Sequence, residues 1–171
     1  MIVSSKDFDT LKSKIAVFNP DYILFRDKEI LDYSQKAFEF LDICKNFSNL
    51  KTFLHQDASL AKELGACGVH LTSKQFDGIS SAKRLGLEVI ISTHTHEEVL
   101  EAQRLGADAI TYSPIFCSPN KGEPKGLDDL KNLLNNCNIK VFALGGIISK
   151  EHIAELEKTG VYGFASIRYF F

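Results

Sequence analysis

The 171-residue chain has no tryptophan, one methionine and four prolines, and its cysteines, Cys44, Cys67, Cys117 and Cys137, include no C-x-x-C pair. That spacing excludes a zinc ribbon or a thioredoxin-type motif, and isolated thiols fit reduced side chains in a cytoplasmic protein. No apolar run approaches the roughly 18–20 residues a membrane span needs. The start, Met-Ile-Val-Ser-Ser-Lys-Asp, lacks the basic and apolar segments of a secretory signal. Charge of either sign is not in excess: 20 Lys/Arg against 22 Asp/Glu give a formal −2. This excludes a surface built to coat nucleic acid but allows a local anion pocket. No Gly-rich dinucleotide fingerprint follows the first apolar run, and no G-x-x-x-x-G-K-[ST] loop occurs. Linkers, low-complexity stretches and long charge runs are missing too, so residues 1–171 read as one domain.

What is present is an alternation. Short β-rich apolar runs recur at 2–3, 22–25, 52–54, 68–71, 88–92, 109–115, 140–144 and 163–167. Between them apolar residues fall at helical spacing, as in Phe8, Leu11 and Ile15. The helical patterns stop on a repeated signal, Leu64-Gly65, Leu85-Gly86, Leu105-Gly106 and Thr159-Gly160, where glycine can take the left-handed conformation that caps a helix. Eight units in 171 residues average about 21 residues each, the size of a βα repeat, and predict an α/β fold of the (β/α)8 TIM-barrel type. The barrel is truncated: such folds usually run to about 200–250 residues, and here the eighth helix is missing after the last strand. A partner subunit, or the tail Tyr169-Phe170-Phe171 folding back, would cover the surface this exposes. An open doubly wound sheet is the rival architecture.

In either architecture chemistry gathers at the carboxyl ends of the strands. Arg26 and Lys28 follow the second strand, His55 ends the third, and Ser92 lies near the end of the fifth. Ser118, Asn120 and Lys121 sit in the long loop after the sixth strand, and Ser166 and Arg168 follow the eighth. Gly145-Gly146, between strand seven and a helix, would let backbone N–H groups approach a phosphate with no Cβ in the way. A plain tight turn is the alternative there, and a solvated loop is the alternative for the cations. His55, with an ordinary pKa near 6.5, is the candidate acid/base group, although a hydrogen-bonded structural histidine would look the same. His70 reads as packed inside the barrel, His94 and His96 as capping or surface residues, and His152 as exposed on a helix. No histidine pair has the H-E-x-x-H spacing of a metal site.

Several of these segments, in this order, resemble the thiamine phosphate synthase/TenI family over nearly the whole chain. They are Phe25-Arg26-Asp27-Lys28, the stretch from Leu64 to Leu71, and Ser92-Thr93-His94-Thr95-His96-Glu97-Glu98. Gly106-Ala107-Asp108 with Ser113-Pro114-Ile115-Phe116, Lys121, and Leu144-Gly145-Gly146-Ile147 complete the set. The resemblance implies a (β/α)8 barrel, a homodimer, and a place in thiamine biosynthesis. It also implies a small phosphorylated substrate, with no nucleic acid and no membrane as partner. The synthase of that family joins a thiazole phosphate to an aminopyrimidine pyrophosphate using magnesium held by aspartates. At the matching positions this chain has Gln56 and Gln75, with His55 beside them. The TenI-like branch lacks those carboxylates and tautomerises the thiazole phosphate, using a histidine after strand six where Pro114 stands here.

The first expectation is therefore a TenI-like protein that binds a thiazole phosphate and moves a proton on it. Gly145, Gly146, Ser166 and Arg168 would hold the phosphate, Lys121 would screen charge, His55 would exchange the proton and Ser92 would orient the ring. No cofactor is expected, with Mg²⁺ entering only if synthase activity is retained. The alternatives are a working synthase, with Arg26 and Lys28 on the pyrophosphate, and a non-catalytic ligand- or partner-binding relative.

Overall fold

The computed structural model describes residues 1–4, 8–27, 29–119 and 121–170. Strands and helices alternate throughout: β1 (Ile2–Ser4), α1 (Leu11–Phe18), β2 (Tyr22–Phe25), α2 (Tyr33–Cys44), β3 (Lys51–His55), α3 (Ala58–Glu63), β4 (Gly68–Leu71) and α4 (Gly78–Arg84). They continue as β5 (Glu88–Thr93), α5 (His96–Arg104), β6 (Ala109–Tyr112), α6 (Gly126–Asn135), β7 (Lys140–Leu144), α7 (Lys150–Glu157) and β8 (Gly163–Ala165). The strands form one parallel sheet in sequential order. Its two edges meet at Met1, whose terminal nitrogen donates to the Phe164 carbonyl (2.6 Å) and whose carbonyl accepts from the Ser166 N–H (3.3 Å). This is a truncated TIM-barrel-like fold. Among the described residues no helix is long and apolar enough to cross a membrane.

Alternation along each strand sorts the side chains into two cores, as the pleat requires. Ile23, Phe25, Leu54, Val69, Ile91 and Ile110 face the helices, against residues such as Leu11, Ala37 and Phe40. Met1, Tyr22, Leu24, Phe53, Ile90, Ala109, Phe142 and Ala165 fill the barrel. Large and small residues are paired there: a Cβ on Gly68 would lie 2.3 Å from both the Phe53 ring and the Glu88 carbonyl, so the Phe53 ring occupies the space glycine leaves. At the N-terminal end Lys51 and Glu88 form an ion pair across β3 and β5.

The repeated helix stops adopt the left-handed backbone expected of them, with φ of +74° at Gly65, +79° at Gly86, +85° at Gly106 and +78° at Gly160. Several helix starts are capped by side chains: Asp32, Asp57, Thr95 and Ser149 each accept from a backbone N–H one turn on. After β8 the chain turns instead of entering a helix. Phe170, 5% exposed, packs edge-on against Phe18 at the end of α1 (5.0 Å) and stacks on Phe164 of β8 (5.8 Å), with Tyr169 against both. The aromatic tail thus folds back over the end of α1 and β8.

Candidate functional site

At the carboxyl end of the sheet the inward positions turn polar. His55 closes β3, His70 lies in register beside it on β4, Ser92 is inward on β5, and Thr111 is paired with Ser92 on β6. The rings of His55 and His70 meet edge to edge, Nδ1 to Nδ1 at 3.4 Å, and His70 Nε2 lies 3.4 Å from Ser92 Oγ. Both histidines are buried, His55 at 6% exposure and His70 at 4%. Burial pushes the His70 pKa down to about 3, and the neighbouring His55 and the Arg26 guanidinium add to the effect, so His70 is neutral at physiological pH. Arg26, half-buried just beyond β2, thus brings its charge to the same end of the barrel.

The histidine pair is held by a residue for which the sequence offers no signal. The Tyr33 hydroxyl at the start of α2 donates to the Phe25 carbonyl (3.0 Å) and accepts from the His55 N–H (2.9 Å), so it ties β2 to β3. Its ring stacks on Phe25 at 5.0 Å, and burial pushes its pKa up to about 12, which keeps the donor proton in place. His70, expected only to pack in the barrel, is the hub of the polar group. Thr111, which carries no motif, completes the inner row.

The paired glycines lie on the other side of the mouth, under the loop after β6. Gly145 (φ +96°) and Gly146 (φ +71°) are both left-handed. A Cβ on Gly146 would sit 2.6 Å from the Phe116 carbonyl carbon, the Phe116 Cβ and the Cys117 carbonyl oxygen; one on Gly145 would meet Pro114 at 2.8 Å and Ser118 Oγ at 3.4 Å. Glycine is thus required for the loop to seat. The seat is fastened by Ile115 N–H to the Leu144 carbonyl (2.9 Å) and Phe116 N–H to the Gly145 carbonyl (3.0 Å). The loop's own neck is closed by Lys125 N–H to the Pro114 carbonyl (2.9 Å) and Gly126 N–H to the Ile115 carbonyl (3.1 Å). Ser118 Oγ is brought over Gly145. Ser166 is engaged differently: its hydroxyl donates to the Ile147 carbonyl (2.8 Å) and accepts from the Tyr169 N–H (3.2 Å), so it fixes the turn after β7. Lys121 and Arg168 are exposed. Lys28 and Asn120 lie outside the described residues.

A family model described as thiamine monophosphate synthase matches residues 2–170. The chain belongs to this family. It is 30% identical over 151 residues to a thiamine-phosphate synthase of Clostridium acetobutylicum, covering 85% of this chain and 71% of that protein. It is likewise 30% identical over 169 residues to the Lactococcus lactis protein of the same name, covering 92% and 74%. A thiamine phosphate pyrophosphorylase structure from Pyrococcus furiosus superposes with a TM-score of 0.82 at 25% identity, covering 97% of this chain and 84% of that one.

The magnesium that the family resemblance implies does not fit the groups at these strand ends. Mg²⁺ is held by carboxylates and waters at near-octahedral geometry, and the two matching positions are neutral amides. Gln75 Oε1 already accepts from the Thr72 N–H and hydroxyl (both 3.1 Å), and its Nε2 donates to the Gln56 carbonyl (3.3 Å). The nearest carboxylate in sequence, Asp57, caps α3 through the Leu60 N–H (2.9 Å). Among the described residues no three His, Cys, Asp or Glu side chains cluster as metal ligands.

The remaining histidines are tied down more firmly than surface residues would be. His94 Nδ1 lies 3.1 Å from the Ser113 carbonyl, His96 Nε2 pairs with Asp129 at 3.1 Å, and the Tyr112 hydroxyl donates to the same carboxylate at 2.7 Å. The cap of α5 is Thr95 between them. His152, expected to be exposed, stacks on Phe116 at 4.2 Å and accepts from the Ile148 N–H, which makes it a further support of the seated loop. Cys117 is exposed on that loop.

Proposed function

We propose that this protein binds a small phosphate ester of the thiazole phosphate class at the carboxyl end of its barrel and transfers a proton on it. The observation that carries the reading is the convergence of Arg26, His55, His70 and Ser92 on one inward face, with amides in place of the metal-binding carboxylates. A neutral His70 in contact with His55 and beside a fixed cation suits proton exchange on an anionic ligand, which needs no metal. In this reading His55 meets the ligand as acid/base, Ser92 orients its ring, and the phosphate lies across the mouth near Gly145, Gly146 and Ser118. Arg168 and Lys121 approach from the rim, and Ser166 shapes the phosphate site by holding the turn after β7. Replacing His55 by Ala abolishes proton exchange on thiazole phosphate, followed by deuterium incorporation, while ligand affinity stays within a few-fold. Unchanged turnover in that variant removes His55 from the mechanism.

A second reading is favoured by the relatives, which carry the name thiamine-phosphate synthase at about 30% identity. In it the chain joins an aminopyrimidine pyrophosphate to thiazole phosphate, with Arg26 and Lys28 on the leaving pyrophosphate. Pyrophosphate release that requires both substrates and Mg²⁺ establishes this reading and displaces the first. Ligand binding without turnover of either substrate set points instead to a binding protein.

A further inference from the structure

We propose that His55, His70 and Ser92 form one proton wire across β3, β4 and β5, which takes a proton from the ligand at His55 and returns one to it at Ser92. This rests on the proton-transfer reading above and adds the route and a second ligand-facing group. His70 stands between the other two with both ring nitrogens engaged, Nδ1 toward His55 and Nε2 toward Ser92, each at 3.4 Å. A neutral imidazole carries one proton and one lone pair, so the wire has two complementary arrangements. In the first, His55 Nδ1–H donates to His70 Nδ1, His70 Nε2–H donates to Ser92 Oγ, and the Ser92 proton faces the ligand. In the second, every proton sits on the other side of its hydrogen bond and His55 carries its proton on Nε2.

Passing from one arrangement to the other balances a tautomerisation. A ligand X–H bond breaks and the proton joins His55 Nε2. The Nδ1 proton of His55 moves to His70 Nδ1, and the Nε2 proton of His70 moves to Ser92 Oγ. The original Ser92 proton bonds to a second ligand atom, with the electron pair shifting inside the ligand. No charge remains on the buried groups, in keeping with their burial and the nearby Arg26. Water reverses the wire between turnovers by taking a proton at His55 and giving one at Ser92. An independent observation points to a polar partner beside Ser92. Thr111, its inward neighbour on β6, is 1% exposed and its hydroxyl has no hydrogen-bond partner among the described residues. Buried hydroxyls are paired in folded proteins, and a polar ligand atom at this position supplies the missing partner.

The test is ¹⁵N-histidine NMR of the whole chain, read beside proton exchange on thiazole phosphate. In the wild type at pH 7 both rings are neutral and their tautomers are complementary. Ser92→Ala changes the tautomer populations of His70 and, two links away, of His55. It also lowers kcat by about 100-fold, the scale of general acid–base catalysis, with KM within threefold, and Ser92→Thr restores both signals. Thr111→Val raises KM and leaves the tautomers alone. A His55 tautomer indifferent to Ser92→Ala, or a His70 ring charged at pH 7, overturns the wire. Coupled tautomers in a protein that does not turn over thiazole phosphate support the wire and refute the substrate assignment.

Discussion

Gly146→Ala measures how far the loop after β6 depends on a missing methyl group, and Gly65→Ala is its control. Both positions have left-handed backbones, with φ of +71° and +74°. A Cβ at 65 meets nothing within 4 Å, whereas one at 146 would lie 2.6 Å from backbone atoms of Phe116 and Cys117. The conformational penalty, about 1–2 kcal/mol for an L-residue in this region, is common to both. At 146 the loop must also lift, which loses the two hydrogen bonds that fasten it to Leu144 and Gly145, at about 0.5–1.5 kcal/mol each. The expected losses are therefore about 1–2 kcal/mol for Gly65→Ala and about 2–5 kcal/mol for Gly146→Ala. For a domain of this size each kcal/mol lowers Tm by about 2–4 °C, so calorimetry resolves the difference, and urea unfolding checks that the m-value is unchanged. Equal losses in the two variants would refute the steric argument and leave Gly146 as an ordinary turn residue.

Two further outcomes are expected. Phe170→Ala removes the ring seated between Phe18 and Phe164 and should cost about 3–5 kcal/mol, as large-to-small core substitutions do; a loss below 1 kcal/mol in thermal or urea unfolding would show that the tail does not cover the barrel. Because His70 is held neutral when folded but titrates near 6.5 when unfolded, the unfolded chain binds the extra proton as pH falls below about 6.5. Its contribution is intact above that pH and is lost on acidification toward about 3, where the folded form titrates as well. By pH 5 the wild type should have lost about 2 kcal/mol that a His70→Gln protein does not lose; parallel pH–stability curves for the two would rule this out.

The repeat was legible because each βα unit carries its own punctuation. The leucine–glycine stops mark the same left-handed backbone at Gly65, Gly86 and Gly106, and that conformation is decided locally. Element ends were less legible where partners elsewhere in the chain decide them. β3 extends to Lys51, which pairs with Glu88 at the far end of the barrel. β6 stops at Tyr112, short of the apolar run, because Pro114–Phe116 dock on the turn after β7. β8 stops at Ala165 because the Ser166 hydroxyl is drawn to Ile147 and the tail turns inward. The site shows the same division. His55, Ser92 and Arg26 were found from their places at strand ends. The contact between His55 and His70 depends on β3–β4 register, which spacing alone does not give, and Tyr33 reaches the pair across a helix start. The glycine pair was read for its backbone freedom, but the atoms that demand glycine belong to a loop about thirty residues earlier.

The closed neck of that loop makes it an exchangeable cassette. Hydrogen bonds join Pro114 and Ile115 to Lys125 and Gly126, so the chain enters and leaves the segment from Cys117 to Pro124 at one fixed point on the barrel rim. Among the described residues of that segment the backbone hydrogen bond is internal, from the Lys121 N–H to the Ser118 carbonyl (3.3 Å), and none reaches the framework. The sequence between the two halves of the neck can therefore vary while those backbone hydrogen bonds persist.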